Sequence, residues 1–380
     1  MKEVILHLGL HKTGSSSIQA ALHGFAQGKV KTVTFPHDNH SIAMYTIFSS
    51  KRYAYHIWKN LGYDEVAIDR LRAEFLETLN ADLEDENYEK LIISGEDLSY
   101  LEPQDIEDMF AYFSQKARRV RAVAYVRHPS QWVVSNTNQM ILGAGPLVKY
   151  PTRFRSRIEK YHSVLGRENV HVYAYECALK ENKSVVAHFA RILGIELKEP
   201  ARKNQSANPL QIALLTQLND VEFHTTRHEA FALREKIKAE ILKVPSPAAP
   251  HDKSDQRFYQ SLFANDVQQD CQWLRDEIGI DYQVSVQTDP QPISSYFDAI
   301  LAASSEDIGH FFSELGVQYA PGDSIKEKFF EVIFEMVTGL RFADFDGEKY
   351  LALHPDVEAA KMEPHLHYYK FGHSKGRRTS

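Results

Sequence analysis

The stretch EVILHLGLHKTGSSSIQAALHGFA, residues 3–26, decides the fold that the sequence predicts. The apolar run Glu3–Leu8 has the length of a buried strand, and the segment after Ser15 shows helical spacing of apolar residues. The loop between them contains two glycines, a lysine and four hydroxyl side chains. Such a turn aims backbone N–H groups and the positive end of the helix dipole at one point. We therefore predict a strand, an anion-binding loop over residues 9–17, and a helix.

Three further apolar runs have the length of strands, namely Lys90–Ser94, Val120–Val126 and Asn169–Tyr175. Helical patterns lie between the runs, for example at Pro103–Phe113 and Val185–Leu193. Short apolar strands that alternate with helices are typical of an α/β protein. The sequence thus predicts a central, mostly parallel sheet flanked by helices.

The length of 380 residues suggests one large domain plus an appendage, or two domains. We predict a main α/β domain over residues 1–280 and a mainly helical C-terminal extension over residues 281–380. Within the extension, residues 345–378 look like two short helices, separated around Met362–Pro364, followed by a basic tail.

Composition argues against several classes of protein. The formal net charge of −7 speaks against a general nucleic-acid binder, so a site for an anion must be built locally. Cys177 and Cys271 lie far apart in the chain, which speaks against a disulfide framework or a cysteine-ligated zinc site. The N-terminal segment lacks the pattern of a signal peptide, and no stretch approaches the ~20 apolar residues that span a bilayer. We expect a cytoplasmic protein.

The loop has the glycine spacing of a nucleotide-triphosphatase P-loop but not its lysine. Gly9 and Gly14 match the pattern G-x-x-x-x-G-K-[ST], yet the residue after Gly14 is Ser15. The lysine, Lys12, lies two positions before Gly14 instead. This order opposes a nucleotide triphosphatase.

The order Lys-Thr-Gly-Ser-Ser-Ser resembles the 5′-phosphosulfate loop of sulfotransferases that use 3′-phosphoadenosine 5′-phosphosulfate (PAPS). The resemblance implies a parallel sheet like that of nucleotide kinases, a P-loop-like site and no metal requirement. It also implies that the loop binds the donor, and an ordinary strand-to-helix turn is the alternative. The donor-binding residues that we predict in this loop are His11, Lys12, Thr13, Gly14, Ser15, Ser16 and Ser17.

A second motif follows the third predicted strand. Arg127 ends that strand, Pro129 suits the first turn of a helix, and Ser135 lies about two helical turns further on. An arginine suits phosphate because its planar fork binds two oxygens at once. The arrangement resembles the 3′-phosphate motif of the same family, and the alternative is a strand end beside a polar helix face.

A third segment, which contains Arg202, Asn204 and Ser206, resembles a downstream loop of bacterial members of the family. The resemblance suggests a place near the 3′-phosphate or the adenosine. A solvated loop before the helix at Pro209 is the alternative interpretation.

Sulfuryl transfer needs a group that stabilises negative charge on the leaving phosphate and a base that takes a proton from the acceptor. We assign charge stabilisation to Lys12. The family usually places a histidine base after the second strand, but Glu96 stands there in this chain. His40 is the alternative base.

The acceptor is a hydroxyl or an amine that the sequence does not name. Residues 350–377 resemble a small module seen beside bacterial glycan-modifying domains, which favours a carbohydrate or glycolipid acceptor. Two other classes stay open, namely a P-loop-like nucleotide kinase or triphosphatase and a non-catalytic nucleotide-binding protein. Basic residues that could line an acceptor cleft, or simply form solvated faces, are Lys51, Arg52, Lys149, Arg153, Arg155 and Arg157.

Overall fold

The computed structural model describes residues 2–145, 151–200, 207–224, 226–245, 266–284 and 293–379. Its sheet has six strands in the order β2-β3-β4-β1-β5-β6, and every neighbouring pair is parallel except β2 and β3. The strands are β1 (Lys2–Leu8), β2 (Ala26–Gln27), β3 (Val30–Thr32), β4 (Lys90–Gly95), β5 (Ala117–Val126) and β6 (Val170–Ala174).

Helices flank this sheet, which confirms the predicted α/β architecture with a mostly parallel central sheet. The helices are α1 (Ser15–Leu22), α2 (Ser41–Phe48), α3 (His56–Leu61), α4 (Glu65–Glu84), α5 (Pro103–Ser114), α6 (Pro129–Leu142), α7 (Phe154–Leu165), α8 (Tyr175–Asn182), α9 (Val185–Leu193), α10 (Pro209–Asn219), α11 (Arg227–Ile241), α12 (Val267–Trp273), α13 (Ile293–Ala303), α14 (Ser305–Glu314), α15 (Ile325–Thr338), α16 (Gly347–Leu353), α17 (Pro355–Ala359) and α18 (Pro364–His367). Among the residues described, no helix is both long and apolar enough to cross a bilayer.

The four predicted strands are β1, β4, β5 and β6, whereas β2 and β3 were not predicted. These two are very short and form a hairpin that turns at Gly28, where φ is +55°. A strand of two or three residues carries too little periodicity to be recognised in a sequence. β3 of this hairpin pairs with β4, and β2 forms the edge of the sheet.

The chain divides into two compact units that interleave along the sequence. The first is drawn from Met1–Asn136, Lys149–Asn204 and Phe263–Val286, and it contains all six strands. The second is drawn from Thr137–Val148, Gln205–Leu262 and Gln287–Ser380. The boundary at residue 280 stays a prediction.

The described parts of the C-terminal extension, residues 281–284 and 293–379, contain helices, turns and irregular segments and no strand. The sequence predicted two short helices near its end, and that number was wrong. The structure has three, because Pro355 begins a new helix directly after α16. A proline fits the first turn of a helix, where its missing N–H is not needed.

One buried core cluster holds the two elements, β1 and α1, that flank the predicted anion-binding loop between them. Apolar side chains of the sheet, α1 and α9 form one buried cluster that includes Ile5, Ile18, Val123, Tyr125 and Phe189. Burying each large apolar side chain contributes roughly 1.5–3 kcal/mol, so the two ends of the loop are held firmly.

The start of α7 is fixed by a carboxylate that is remote in the sequence. Asp270, on α12, is buried and accepts hydrogen bonds from the Thr152 hydroxyl at 2.5 Å and from the backbone N–H groups of Phe154 at 2.7 Å and Arg155 at 3.2 Å. It thus caps a helix whose first N–H groups have no partner within the helix.

We expect Asp270→Ala to lower the free energy of unfolding by roughly 1–3 kcal/mol, because buried donors lose their only acceptor. Urea denaturation followed by circular dichroism measures the change. Asp276→Ala, which removes an exposed carboxylate shortly after α12, is the matched control and should have little effect. Equal effects of the two substitutions would contradict the capping role.

Candidate active site

The loop between β1 and α1 has a backbone that turns twice into the left-handed region. Lys12 has a φ of +65° and Gly14 a φ of +81°. A Cβ atom on Gly14 would lie 2.6 Å from Cγ1 of Val185 at the start of α9. Gly14 is therefore required both by its conformation and by the close approach of α9.

The hydroxyl side chains of the loop fall into two groups. Thr13 and Ser15 are buried, and both hydroxyls donate to the carbonyl of Leu10, at 2.6 and 3.1 Å. These two side chains hold the turn together. Ser16 and Ser17 are exposed on the first turn of α1.

The backbone N–H groups of residues 12–16 have no hydrogen-bond acceptor among the described residues, whereas Ser17 and Ile18 already donate to the carbonyl of Gly14. Consecutive N–H groups in a turn with left-handed residues form a concave anion site. Together with the positive end of the α1 dipole they favour a phosphate or sulfate group.

Arg127 lies against this loop. Its Nη1 donates to the carbonyl oxygen of Lys12 at 3.1 Å, and its guanidinium lies 5.1 Å from the ring centre of Tyr175. Its Nε is buried and has no partner among the described residues. The first and second sequence motifs therefore meet at one place.

Three contacts that the sequence did not indicate support Arg127. Glu176 accepts hydrogen bonds from the N–H of His128 and from the hydroxyl of Tyr282, both at 2.9 Å. The indole N–H of Trp132 donates to the carbonyl of His11 at 3.1 Å. The strand end that carries Arg127 is thus tied to α8, to residue 282 and to the loop.

Three cations of the first unit, Lys12, Arg127 and Arg157, form no salt bridge with a carboxylate in the described part of the chain. Burial is the main cause that lowers the pKa of Lys12; Glu96 raises it and Arg127 lowers it further. Arg157 is only 7 % exposed, and burial lowers its pKa as well. Buried or half-buried cations without counter-ions are costly, so this arrangement favours an anionic ligand.

Glu96 lies beside the loop. A Cβ atom on Gly9 would be 3.1 Å from its Cγ, and its Oε2 is 3.1 Å from Nδ1 of His11. Nε2 of His11 is in turn 3.1 Å from the hydroxyl of Tyr100, which accepts a hydrogen bond from Arg157. The structure therefore brings Glu96, His11 and Lys12 together, and adds Tyr100 and Arg157.

His40 has a different environment. It is 4 % exposed, packs edge-on against Phe35, and its Nδ1 accepts the N–H of Ser94 at 3.0 Å. It lines a cavity of about 310 Å³ next to β3, to which residues 9–15 do not contribute. Of the two predicted bases, Glu96 is the one that lies against the loop.

The remaining predicted residues are placed as follows. Ser135 is half-buried on α6, six positions after Pro129. Arg202, Asn204 and Ser206 lie outside the described residues, as does Lys149. Within the described ranges, no group of three or more histidine, cysteine or acidic side chains is arranged to hold a metal ion.

No protein-family model matches the chain, and no curated protein matches it. Among the solved structures that are similar to it are two sulfotransferases. One is a sulfotransferase from Alicyclobacillus acidocaldarius, with a TM-score of 0.35, 14% identity, and coverage of 58% of this chain and 93% of that chain. The other is the sulfotransferase domain from the curacin biosynthetic pathway, with a TM-score of 0.32, 15% identity, and coverage of 68% and 96%. Similarity this distant leaves the chemistry of the site to be argued from its own residues.

The environment of His40 predicts a pH-dependent stability. Burial, opposed by the weaker influence of Asp38 and Asp82, lowers its pKa to about 4. Between that value and the usual pKa near 6.5, the unfolded chain binds a proton that the folded chain does not. Acidification should therefore reduce the free energy of unfolding, with His40 contributing up to about 1.4 kcal/mol per pH unit.

Urea denaturation of the wild type and of His40→Asn at pH 7.5, 6 and 5 measures this dependence. The asparagine keeps a side-chain acceptor near Ser94 but cannot take up the proton, so its stability should fall less on acidification. Indistinguishable pH slopes for the two proteins would contradict a buried neutral His40.

Proposed function

We propose that the protein is a PAPS-dependent sulfotransferase, which moves a sulfuryl group from PAPS to an acceptor hydroxyl or amine and releases 3′-phosphoadenosine 5′-phosphate (PAP). The observation that carries this proposal is the contact of Arg127 with the carbonyl of Lys12. This contact brings Arg127 next to the loop whose N–H groups have no acceptor among the described residues. The Nε of Arg127 also lacks a partner there.

The residues present suit a ligand with two anionic ends. In this proposal the N–H groups of residues 12–16, with Lys12 and the hydroxyls of Ser16 and Ser17, bind the phosphosulfate. Arg127 and Ser135 bind the 3′-phosphate, for which the unpartnered Nε and the flat guanidinium are suited. Arg202, Asn204 and Ser206 stay proposed contributors near the adenosine.

The chemistry asks little of the protein beyond positioning and charge stabilisation. Lys12 stabilises the negative charge that grows on the leaving phosphate oxygen, and burial strengthens that interaction. Of the two predicted bases, Glu96 is the one that we propose takes part in proton transfer, because it lies beside His11 and the loop. His40 is buried and its Nδ1 is already used as the acceptor for the N–H of Ser94, so we assign it no part in proton transfer.

A carbohydrate or glycolipid is the acceptor that we propose, and the cytoplasm is the proposed location because activated nucleotide donors are made there. The support for the acceptor is the resemblance of residues 350–377 to a module found beside glycan-modifying domains. This support is an association and involves no contact in the site.

Isothermal titration calorimetry with PAP, AMP and ATP tests the donor. We expect the wild type to bind PAP far more tightly than AMP, and Arg127→Ala to remove most of that difference. Loss of a charged, bidentate contact should cost on the order of 2–5 kcal/mol.

Arg118→Ala is the matched control, because Arg118 is exposed at the opposite end of β5. It should leave the preference for PAP unchanged. Equal affinity of the wild type for PAP and AMP would end the sulfotransferase proposal. Tighter binding of ATP than of PAP would favour a nucleotide kinase instead.

The role of Lys12 at the leaving oxygen predicts a loss of rate that exceeds the loss of donor affinity. We expect Lys12→Met to slow the release of PAP from PAPS by about 10²-fold or more, as does removal of one transition-state donor in other enzymes. Chromatography of the products, with a panel of saccharides and glycolipids as acceptors, measures the rate. Lys12→Arg keeps the charge and should retain more activity than Lys12→Met; equal losses would contradict the charge-stabilising role.

A further inference from the structure

A chain of polar contacts leads from the interior of the first unit to the phosphate loop. Arg157 Nη2 donates to the hydroxyl oxygen of Tyr100, and that hydroxyl lies 3.1 Å from Nε2 of His11. On its other side, Nδ1 of His11 is 3.1 Å from Oε2 of Glu96. His11 directly precedes Lys12, so the chain of contacts ends at the phosphate loop.

The direction of proton donation along this chain follows from the chemistry of its members. An arginine is always a donor, so the Tyr100 oxygen accepts from Arg157. The Tyr100 proton is then free to be donated to Nε2 of His11. A neutral His11 that accepts at Nε2 carries its proton on Nδ1, which faces Glu96.

The backbone of Tyr100 is held from the same helix that supplies Arg157. The hydroxyl of Tyr161 donates to the carbonyl of Leu98, and the ammonium of Lys160 donates to the carbonyl of Leu101, both at 2.6 Å. With Arg157, these side chains occupy one face of α7, at spacings of three and four residues. Asp270 fixes the start of that helix.

Tyr100 is fixed and yet open to solvent, with 39 % of its surface exposed. The ring is covered on one side by the Arg157 guanidinium, 4.4 Å from the ring centre. Its oxygen uses one lone pair for Arg157 and keeps the second for another donor, such as the hydroxyl of an acceptor.

We propose that Tyr100 takes the proton from the acceptor hydroxyl while it passes its own proton to Nε2 of His11. This inference rests on the proposed function and makes Tyr100 and His11 the proton-transferring residues. Arg157 and Glu96 are positioning residues in it. Arg157 orients the Tyr100 oxygen, and Glu96 stabilises the imidazolium that His11 becomes.

The step balances. The acceptor O–H bond breaks and its proton goes to the Tyr100 oxygen, as the Tyr100 proton goes to His11. The acceptor oxygen forms the new bond to sulfur, and the sulfur bond to the bridging oxygen breaks. That electron pair stays on the leaving phosphate beside Lys12. His11, whose side chain is 33% exposed, returns its proton to solvent.

Tyr100→Phe tests the relay with almost no change in shape. Tyr63→Phe is the matched control, because Tyr63 is an exposed tyrosine whose ring stacks on Trp58. We expect Tyr100→Phe to bind PAP as the wild type does in calorimetry. Its release of PAP from PAPS, with water or an identified saccharide as acceptor, should be slower by about 10²–10⁴-fold at an unchanged KM for PAPS.

Rates in mixtures of H₂O and D₂O separate proton transfer from a structural effect. Two moving protons should make the wild-type and Tyr63→Phe rates depend on the deuterium fraction along a curve, and Tyr100→Phe should lose that curvature. Arg157→Lys, which keeps a cation near the Tyr100 oxygen, should retain more activity than Arg157→Gln.

The outcomes distinguish this inference from the proposed function. A Tyr100→Phe protein with wild-type turnover and the same isotope dependence overturns the relay and leaves Glu96 to act directly. Loss of the preference for PAP over AMP in the wild type overturns the sulfotransferase proposal itself.

Discussion

Passing from a buried parallel strand into a helix within six residues leaves backbone N–H groups that must find acceptors. In this chain the turn after β1 is closed from within, because the Thr13 and Ser15 hydroxyls both bond the Leu10 carbonyl. That closure fixes the left-handed residues Lys12 and Gly14 and leaves the N–H groups of residues 12–16 facing outward. The candidate site depends on this constraint, since the same geometry that closes the turn leaves a row of N–H groups that suits an anion.

The charges around the turn follow the same logic. Lys12, Arg127 and Arg157 lie in a protein whose net charge is −7, yet no carboxylate in the described residues pairs with any of them. The acidic groups nearest to them have other partners: Glu176 accepts from Tyr282 and a backbone N–H, Asp270 caps α7, and Glu96 lies against His11. The three cations are thus available to an anionic ligand, and leaving buried or half-buried cations without a counter-ion costs stability.

Much of the architecture could be predicted from the sequence, because strands and helices produce regular spacings of apolar residues over short stretches. The four long apolar runs became β1, β4, β5 and β6, and the pattern at Val185–Leu193 matches α9. The motif around Gly9–Ser17 could be recognised because its residues are neighbours in the chain. The hairpin of β2 and β3 was missed because so short a segment has no period.

The supporting residues of the site could not be predicted in the same way. Tyr100, Trp132, Glu176 and Tyr282 read as ordinary residues in the sequence, and Arg157 reads as one of several surface cations. Their importance comes from long-range contacts, such as that between Arg157 and Tyr100, which leave no periodic signal. The burial of His40 also depends on tertiary contacts. Ser94 is far from His40 in the sequence, and nothing in the sequence pairs Phe35 with His40.

The hydrogen bond between Tyr282 and Glu176 has a practical consequence for anyone who dissects the chain. A recombinant fragment that ended at residue 280, the predicted domain boundary, would keep every side chain proposed to bind phosphate and would lose this tyrosine. Glu176 would then keep only one of its two donors, and the tether between β5 and the segment at residue 282 would be severed. Expression trials of the sheet-containing unit are better begun from an endpoint beyond residue 284.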